Sequence, residues 1–472
     1  MSASLMAQTG LVDWLTECTE PARRGSLRAA LAVLVRAGAL HELPELDIPA
    51  FDALAARCDR LVSRTLDDIL HHPTFQELEA LWRGLGYLVS MTPGFSNVRL
   101  EILSVAKDEL LEDFADAPEL SHSGLFRLVY GRAYGTFGAV PYGLLCAAFE
   151  FGPGMDDMML LRQCAAVAAM AHAPFIANAS EAFFGVESFA ELPRVRDIAA
   201  AHSGHRFRLW NALREAEDAR YLGLCLPRFL GRLPYRVRTE PFAPLRYDES
   251  AARHEDHLWI PASYAFAARA VDSFVRYRWC VHIPGSQSSG MVEGLLRYEF
   301  PFMRGLQARC VVEAQLTSRL EQELSQAGFI GLVYDATTNA GLFRSAPSVQ
   351  RANRSEAHLD PGTQLPYVFL VSRLAHYLKL IQREQLGRWK TAADLERELS
   401  GWLRRYVSAM PDPSPDVRAR RPLRDARVRV QAVEGAVGWL RCHLMLQPHL
   451  THNNAAFTLS LVSRLETSAE AL

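Results

Sequence analysis

At the carboxyl end of the chain, apolar and polar residues alternate in three successive runs, and this pattern constrains the fold more than any other. Val428 and Val430 alternate with polar neighbours within Arg427–Val433, and a turn is expected at Glu434–Gly435. Leu440, Cys442, Leu444 and Leu446 then alternate with Arg441, His443, Met445 and Gln447. Phe457, Leu459 and Leu461 repeat the pattern with Thr458 and Ser460. A period of two puts successive side chains on opposite faces, so each run predicts a strand with one buried face. Three strands are too few to close a sheet, and an open edge is either shielded or offered to a strand of another molecule. Leu440–Leu446 is the run expected to join a neighbour, with Val428 and Val430 beside it.

A basic stretch leads into these strands. Arg404, Arg405, Arg418, Arg420, Arg421, Arg424, Arg427 and Arg429 face only Asp412, Asp416 and Asp425, a net charge of +5 within 26 residues. It reads either as a surface for an acidic partner or as a solvated face. No aromatic ladder is interleaved with it, and the whole chain carries −2, so nucleic acid is not the expected partner. Pro411, Pro413 and Pro415 mark a candidate hinge ahead of the strands.

The rest of the chain reads as α+β, a mixed α/β pattern in several domains. A length of 472 residues allows two to four of them. Residues 1–70 predict a helical extension, with one helix after Ser26 and a second over Ala50–Leu70. Residues 71–366 alternate helices with strands at Val98–Val105, Pro141–Phe149, Leu222–Leu226 and Phe329–Tyr334. Helices are expected at Asp156–Ala171, within His257–Val281 and at Thr317–Ala327, and Ala336–Pro366 reads as a long surface excursion. Residues 367–472 form a carboxyl-terminal α+β region, opened by helices at Tyr367–Gln385 and Thr391–Val407.

Met1–Gly10 lacks the basic-then-apolar pattern of a signal peptide. The longest apolar region, Ala165–Ile176, is interrupted by His172 and Pro174 and falls short of the about 20 residues that span a bilayer. No direct membrane insertion is expected. Eight cysteines without a CxxC pair read as reduced thiols of a cytoplasmic protein.

Motifs for chemistry are weak. Gly285–Gly290 has the glycine spacing of a phosphate loop, but Met291 and Val292 stand where Lys and Ser or Thr are needed. That loop, with Ser286, Ser288 and Ser289, and the surrounding acids are the best support for a hydrolase-like enzyme, and no nucleophile elbow is present. His71–His72 and His202/His205 lack a third ligand at a recognisable spacing. Asp67–Asp68, Asp156–Asp157 and Glu215/Glu217 are pairs that any acid-rich chain contains, while Glu215, Asp218, Arg214 and Arg220 read as an ion-pair cluster. No catalytic residue, metal or cofactor is expected.

An ordered series of runs carries a resemblance. It comprises Phe75–Val89 (FQELEALWRGLGYLV), Tyr134–Gly138, Pro141–Leu145, Ala171–Ile176, Glu217–Tyr221, Leu226–Arg228, Arg232–Tyr235, Leu258–Trp259, Trp279–Cys280, Val292–Leu295, Gly328–Ile330 and Ser372–Lys379. Together, from about Leu66 to Glu466, they resemble the large subunit of the type VI secretion contractile sheath, the TssC or VipB family. The first 60 or so residues, Pro284–Gly290 and Ala336–Pro366 depart from the family's wording. The resemblance implies a tail-sheath-like fold and a structural role without an active site. It implies pairing with a small sheath subunit (TssB/VipA-like) and self-association into a helical polymer around an inner tube (Hcp-like). It also implies assembly on a baseplate and recycling by a ClpV-like AAA+ ATPase, chiefly through the small subunit. A non-contracting paralogue or scaffold is the other reading that the unfamiliar amino-terminal residues leave open.

Overall fold

The computed structural model describes residues 48–466, except 95–96, 137, 236–246, 252, 286–289, 304–305, 336–337, 339, 352–362, 385–391, 409, 411–412, 433–438 and 450–458. The chain divides into two compact units, Met1–His72 with Pro234–Ala251, and Pro73–Leu233 with Ala252–Leu472. In the first unit, helix α1 (Ile48–Leu70) agrees with the helix expected over Ala50–Leu70 and leaves Leu61, Val62 and Ile69 exposed. Glu249 organises the rest of this unit. It accepts from the backbone N–H of Tyr235 at 2.9 Å, meets His71 Nε2 at 3.1 Å, and is buried. Tyr247 Oη donates to Asp67 at 2.7 Å.

The second unit is built on a six-stranded sheet ordered β1-β2-β3-β9-β10-β6. Its strands are β1 (Leu145–Phe151), β2 (Phe175–Ala179), β3 (Leu222–Leu226), β6 (Met291–Val292), β9 (Phe329–Asp335) and β10 (Ala340–Phe343). The strands β1, β2, β3 and β9 run parallel, and β10 and β6 add antiparallel strands at one end. β2 and β3 are buried throughout, which is why FIANA and LGLCL read as short apolar-rich runs without alternation. A Cβ at Gly223 in β3 would lie 2.7 Å from Ile176 and 2.8 Å from Leu365, so the packing there requires glycine. Two further antiparallel pairs lie outside this sheet: β4 (Phe229–Leu230) with β5 (Trp259–Ile260), and β7 (Tyr298–Met303) with β8 (Leu306–Cys310).

Helices complete this unit: α2 (Pro73–Ser90), α3 (Lys107–Asp116), α4 (Met155–Ala171), α5 (Arg208–Glu215), α6 (Ala262–Tyr277) and α7 (Ser318–Gln326). α4 buries Met158, Leu160, Leu161, Cys164 and Val167, as expected of a core helix. Thr317 caps α7 by accepting from Leu320 N–H at 3.3 Å. α2 turns Ala80, Gly84 and Leu88 inward, and the Tyr264 ring of α6 fills the space where a Cβ of Gly84 would be. Its opposite face leaves Phe75, Leu78, Leu81, Trp82 and Val89 exposed.

Three expectations are corrected. Val98–Val105 forms no strand: among the described residues no other backbone pairs with it. The excursion Ala336–Pro366 is not loop throughout: Ala340–Phe343 forms β10, antiparallel to β9, and buries Leu342 and Phe343. The strand expected at Pro141–Phe149 begins at Leu145, four residues after the proline that has no N–H to give a ladder.

Helices α8 (Leu365–Glu384), α9 (Ala392–Arg404) and α10 (Pro415–Arg420) precede the terminal sheet. A separate apolar core joins Leu370, Leu374 and Leu378 of α8 with Leu395, Leu399 and Leu403 of α9 and with the sheet.

Candidate functional site

The terminal sheet has three antiparallel strands in the order β11 (Leu423–Ala432), β12 (Trp439–Pro448) and β13 (Leu459–Glu466). Its inner face carries the predicted residues: Val428, Val430, Cys442, Leu444 and Leu446 are all buried. Val428 stands opposite Leu444, and Val430 opposite Cys442. Leu440 lies opposite Ala432 and Leu465. The expected turn at Glu434–Gly435 and Phe457 lie outside the described residues.

The strand expected to link neighbours is the central one. β12 pairs with β11 on one side and with β13 on the other, so both of its edges are taken within the chain. β11 is partly closed on its outer side. Leu423 N–H donates to Tyr406 O at 3.2 Å, Ser408 N–H donates to Leu423 O at 2.8 Å, and Val430 N–H donates to Glu396 Oε2 at 2.9 Å. Among the described residues β13 pairs on one side only, so the open edge of the sheet is the outer edge of β13.

The register also says which groups face that edge. Val430 N–H points away from β12, so Val430–Cys442 and Val428–Leu444 are non-hydrogen-bonded pairs. Leu444 therefore directs its N–H and C=O toward β13, and Leu461 opposite it directs its own back toward β12. By alternation, Ser460, Val462 and Arg464 present theirs outward.

The outer face of the sheet is basic. Arg427 and Arg429 alternate with the inward valines and are exposed, as are Arg420, Arg421 and Arg424. Arg427 Nε meets Asp425 at 3.1 Å, an exposed pair that water screens. Arg429 lies opposite His443, and His443 opposite Val462. Arg418 is half-buried and donates to Pro413 O at 2.9 Å. Of the candidate hinge residues, Pro413 is buried and Pro415 opens α10, while Pro411 lies outside the described residues.

The weak motifs resolve into structural contacts. His202 is buried, its Nε2 lies 3.0 Å from Phe183 O, and burial pushes its pKa down to about 4. Asp157 meets Lys107 Nζ at 2.5 Å and accepts from Gly152 N–H at 2.6 Å. Glu215 lies 3.7 Å from Arg351. Ser286, Ser288 and Ser289 lie outside the described residues. Among the described residues no three His, Cys, Asp or Glu side chains are grouped to hold a metal, and no helix is long and apolar enough to cross a membrane.

One cluster escaped the sequence reading. Arg228, just past β3, donates Nε to Glu313 at 2.7 Å, lies 3.4 Å from Glu150 at the end of β1, and pairs with Glu181 beyond β2. His254 Nε2 meets Glu313 at 3.0 Å. Burial pushes Glu150 up to about 7, against the pull of Arg228. Burial alone would also raise Glu313, but hydrogen bonds and charge from His254 and Arg228 hold it below the usual carboxylate range. The arrangement ties the carboxyl ends of three parallel strands together. The arginine placed two residues after a buried apolar strand was the available signal.

A family model described as EvpB/VC_A0108, tail sheath N-terminal domain (VipB), matches residues 52–350. A second, described as EvpB/VC_A0108, tail sheath gpW/gp25-like domain, matches residues 353–465. The type VI secretion system sheath protein TssC1 of Pseudomonas aeruginosa is 34% identical over 462 residues, covering 94% of this chain and 93% of that protein. Two solved structures overlap the chain too loosely to bear on it. The sheath tail protein of Desulfitobacterium hafniense is 9% identical over 65% of this chain and 60% of that chain, at a TM-score of 0.32. A chain of the anti-feeding prophage baseplate is 10% identical over 79% of this chain and 80% of that chain, at 0.35.

Proposed function

Since the chain belongs to the VipB tail sheath family and is a large subunit of the type VI secretion contractile sheath, we propose how it assembles. It pairs with a small sheath subunit (TssB/VipA-like) and polymerises on a baseplate in the cytoplasm around an inner tube (Hcp-like). Contraction drives that tube outward, and a ClpV-like AAA+ ATPase recycles the spent sheath, chiefly through the small subunit. The chain itself performs no catalysis.

The observation that carries this reading is the terminal sheet, buried on one face, basic on the other and open along β13. A strand from a neighbouring subunit pairs with the outward groups of Ser460, Val462 and Arg464, so subunits stay joined through main-chain bonds while their side-chain contacts repack. The segment Pro411–Pro415 flexes as the hinge. Residues 1–70, 71–366 and 367–472 act as amino-terminal extension, outer body and tube-facing region. Arg418, Arg420, Arg421, Arg424, Arg427 and Arg429 form the partner-facing patch of that last region. Switching a two-state assembly from 1:99 to 99:1 takes about 5.5 kcal/mol, a demand that many identical links share.

Electron microscopy of the chain co-expressed with its cognate small subunit tests the reading. Tubes are expected; a pair that stays as separate monomers at assembly concentrations overturns it.

A further inference from the structure

The chain contains three lysines, Lys107, Lys379 and Lys390, of which the last lies outside the described residues. The other two sit in opposite settings. Lys107 is held as an ion pair: its Nζ meets Asp157 at 2.5 Å, donates to Glu150 O at 2.8 Å and stands 4.6 Å from the centre of the Phe151 ring. Lys379, on α8, pairs with no carboxylate among the described residues. Its Nζ donates to Met170 O near the carboxyl end of α4 at 3.2 Å. It also lies 4.5 Å from the centre of the Tyr134 ring and 5.0 Å from that of Tyr130. The residue is half-buried, and its hydrogen bond to Met170 lies at the surface.

The titratable groups set around this amine bring no negative charge. Tyr134 Oη donates to Ala171 O at 2.8 Å, and burial raises its pKa, so the phenol stays neutral. His376 Nε2 lies 3.0 Å from the same carbonyl oxygen, and His172 Nδ1 lies 3.2 Å from Tyr221 Oη. Burial, helped by the charge of Lys379, pushes His376 down to about 4 and His172 down to about 3, so both imidazoles are neutral near pH 7. Arg373, on the same helix, adds only positive charge. The carboxyl end of α4 and two ring faces attract an ammonium, but a half-buried amine without a counter-ion is penalised by desolvation. Burial lowers Lys379 to about 8. The neutral amine can give one N–H to Met170 O and keep its lone pair for bond formation.

We propose that Lys379 is a site of acylation by activated acetyl groups, carried as an acyl phosphate or a thioester. The Nζ lone pair attacks the acyl carbonyl carbon, and the bond from that carbon to the phosphate oxygen or the thioester sulfur breaks. A proton passes from Nζ to the leaving group, which departs as phosphate or thiol. The amide formed is neutral, so the cation is lost from the carboxyl end of α4 and from both tyrosine faces. Modification falls on a helix that also lines the core beneath the terminal sheet, through Leu370, Leu374 and Leu378.

The test treats the full chain with acetyl phosphate in one arm and acetyl-coenzyme A in the other, folded and in urea, with modification read lysine by lysine by mass spectrometry. In the folded chain at about pH 8, Lys379 should be acetylated roughly tenfold faster than Lys107. From about pH 8 to about pH 9 the rate at Lys379 should rise less than about twofold in the folded chain, where half or more is already amine. In urea, where the lysine regains its ordinary range, the same step should raise it about tenfold. Reaction in one arm only supports the site and names its donor. Reaction in neither arm overturns the proposal. Equal rates at Lys379 and Lys107, or the same pH dependence folded and unfolded, overturns it as well.

Discussion

The backbone N–H of Val430 donates to the Glu396 carboxylate at 2.9 Å, so helix α9 occupies the middle of the outer edge of β11 with a side chain. That contact makes the two outer strands of the terminal sheet unequal. It partly shields β11 and fixes which groups of all three strands point where, while among the described residues β13 pairs on one side only.

Glu396→Ala leaves the Val430 N–H without its acceptor at a half-shielded edge. It is expected to cost about 1–3 kcal/mol of stability, read as a lowered midpoint in denaturant unfolding. Glu396→Gln, which keeps an acceptor oxygen, should recover most of the loss.

Prolines separate the edge from the interior of the sheet. Val462→Pro removes an outward N–H and leaves the β12–β13 ladder intact, so the chain should fold and fail to form tubes. Leu444→Pro strikes the central strand, where Leu444 is fully buried and lies opposite both Val428 and Leu461, and should unfold the sheet itself. Leu444→Ala is expected to cost about 2–5 kcal/mol through the cavity it leaves. Circular dichroism and negative-stain microscopy on the same preparations distinguish the cases.

The charge cluster around Arg228 gives stability a pH dependence. Glu150 is raised from 4.5 to about 7 in the folded chain, so the folded state holds this proton more tightly than the unfolded state. Its contribution is complete below the unfolded value and is lost as pH rises through about 7. Glu313, held low, works in the opposite sense and withdraws stability as pH falls into the acid range. Unfolding measured between about pH 5 and about pH 8 should show a slope that Glu150→Gln flattens.

Reversing the basic face at Arg427→Glu and Arg429→Glu touches exposed side chains and should leave folding unchanged within about 0.5 kcal/mol. Tubes built from the double variant should retain less of their inner tube, with the deficit shrinking at high salt. Sedimentation of assembled tubes, probed for the inner-tube protein, reads this out.

The sequence foretold the elements whose periodicity and punctuation agree. β3 begins and ends where its apolar run does, Thr317 caps α7, and Val428, Val430, Cys442, Leu444 and Leu446 of the first two terminal strands were named as inward. The order of the terminal strands was not legible, because alternation gives the face a side chain points to but not which strand lies in the middle. Val98–Val105 misled for a related reason: its composition favours a strand, but pattern alone does not supply a pairing neighbour, and no other described backbone pairs with it. The Arg228 cluster joins residues from Glu150 to Glu313, a separation across which charge pattern in the sequence carries no register.

A cryo-electron microscopy map of tubes assembled with the small subunit bears most directly on the central claim. The account predicts continuous density from a neighbouring subunit's strand along the outer edge of β13, hydrogen-bonded at Ser460, Val462 and Arg464. A tube in which that edge faces solvent, with subunits joined only through side chains, contradicts it.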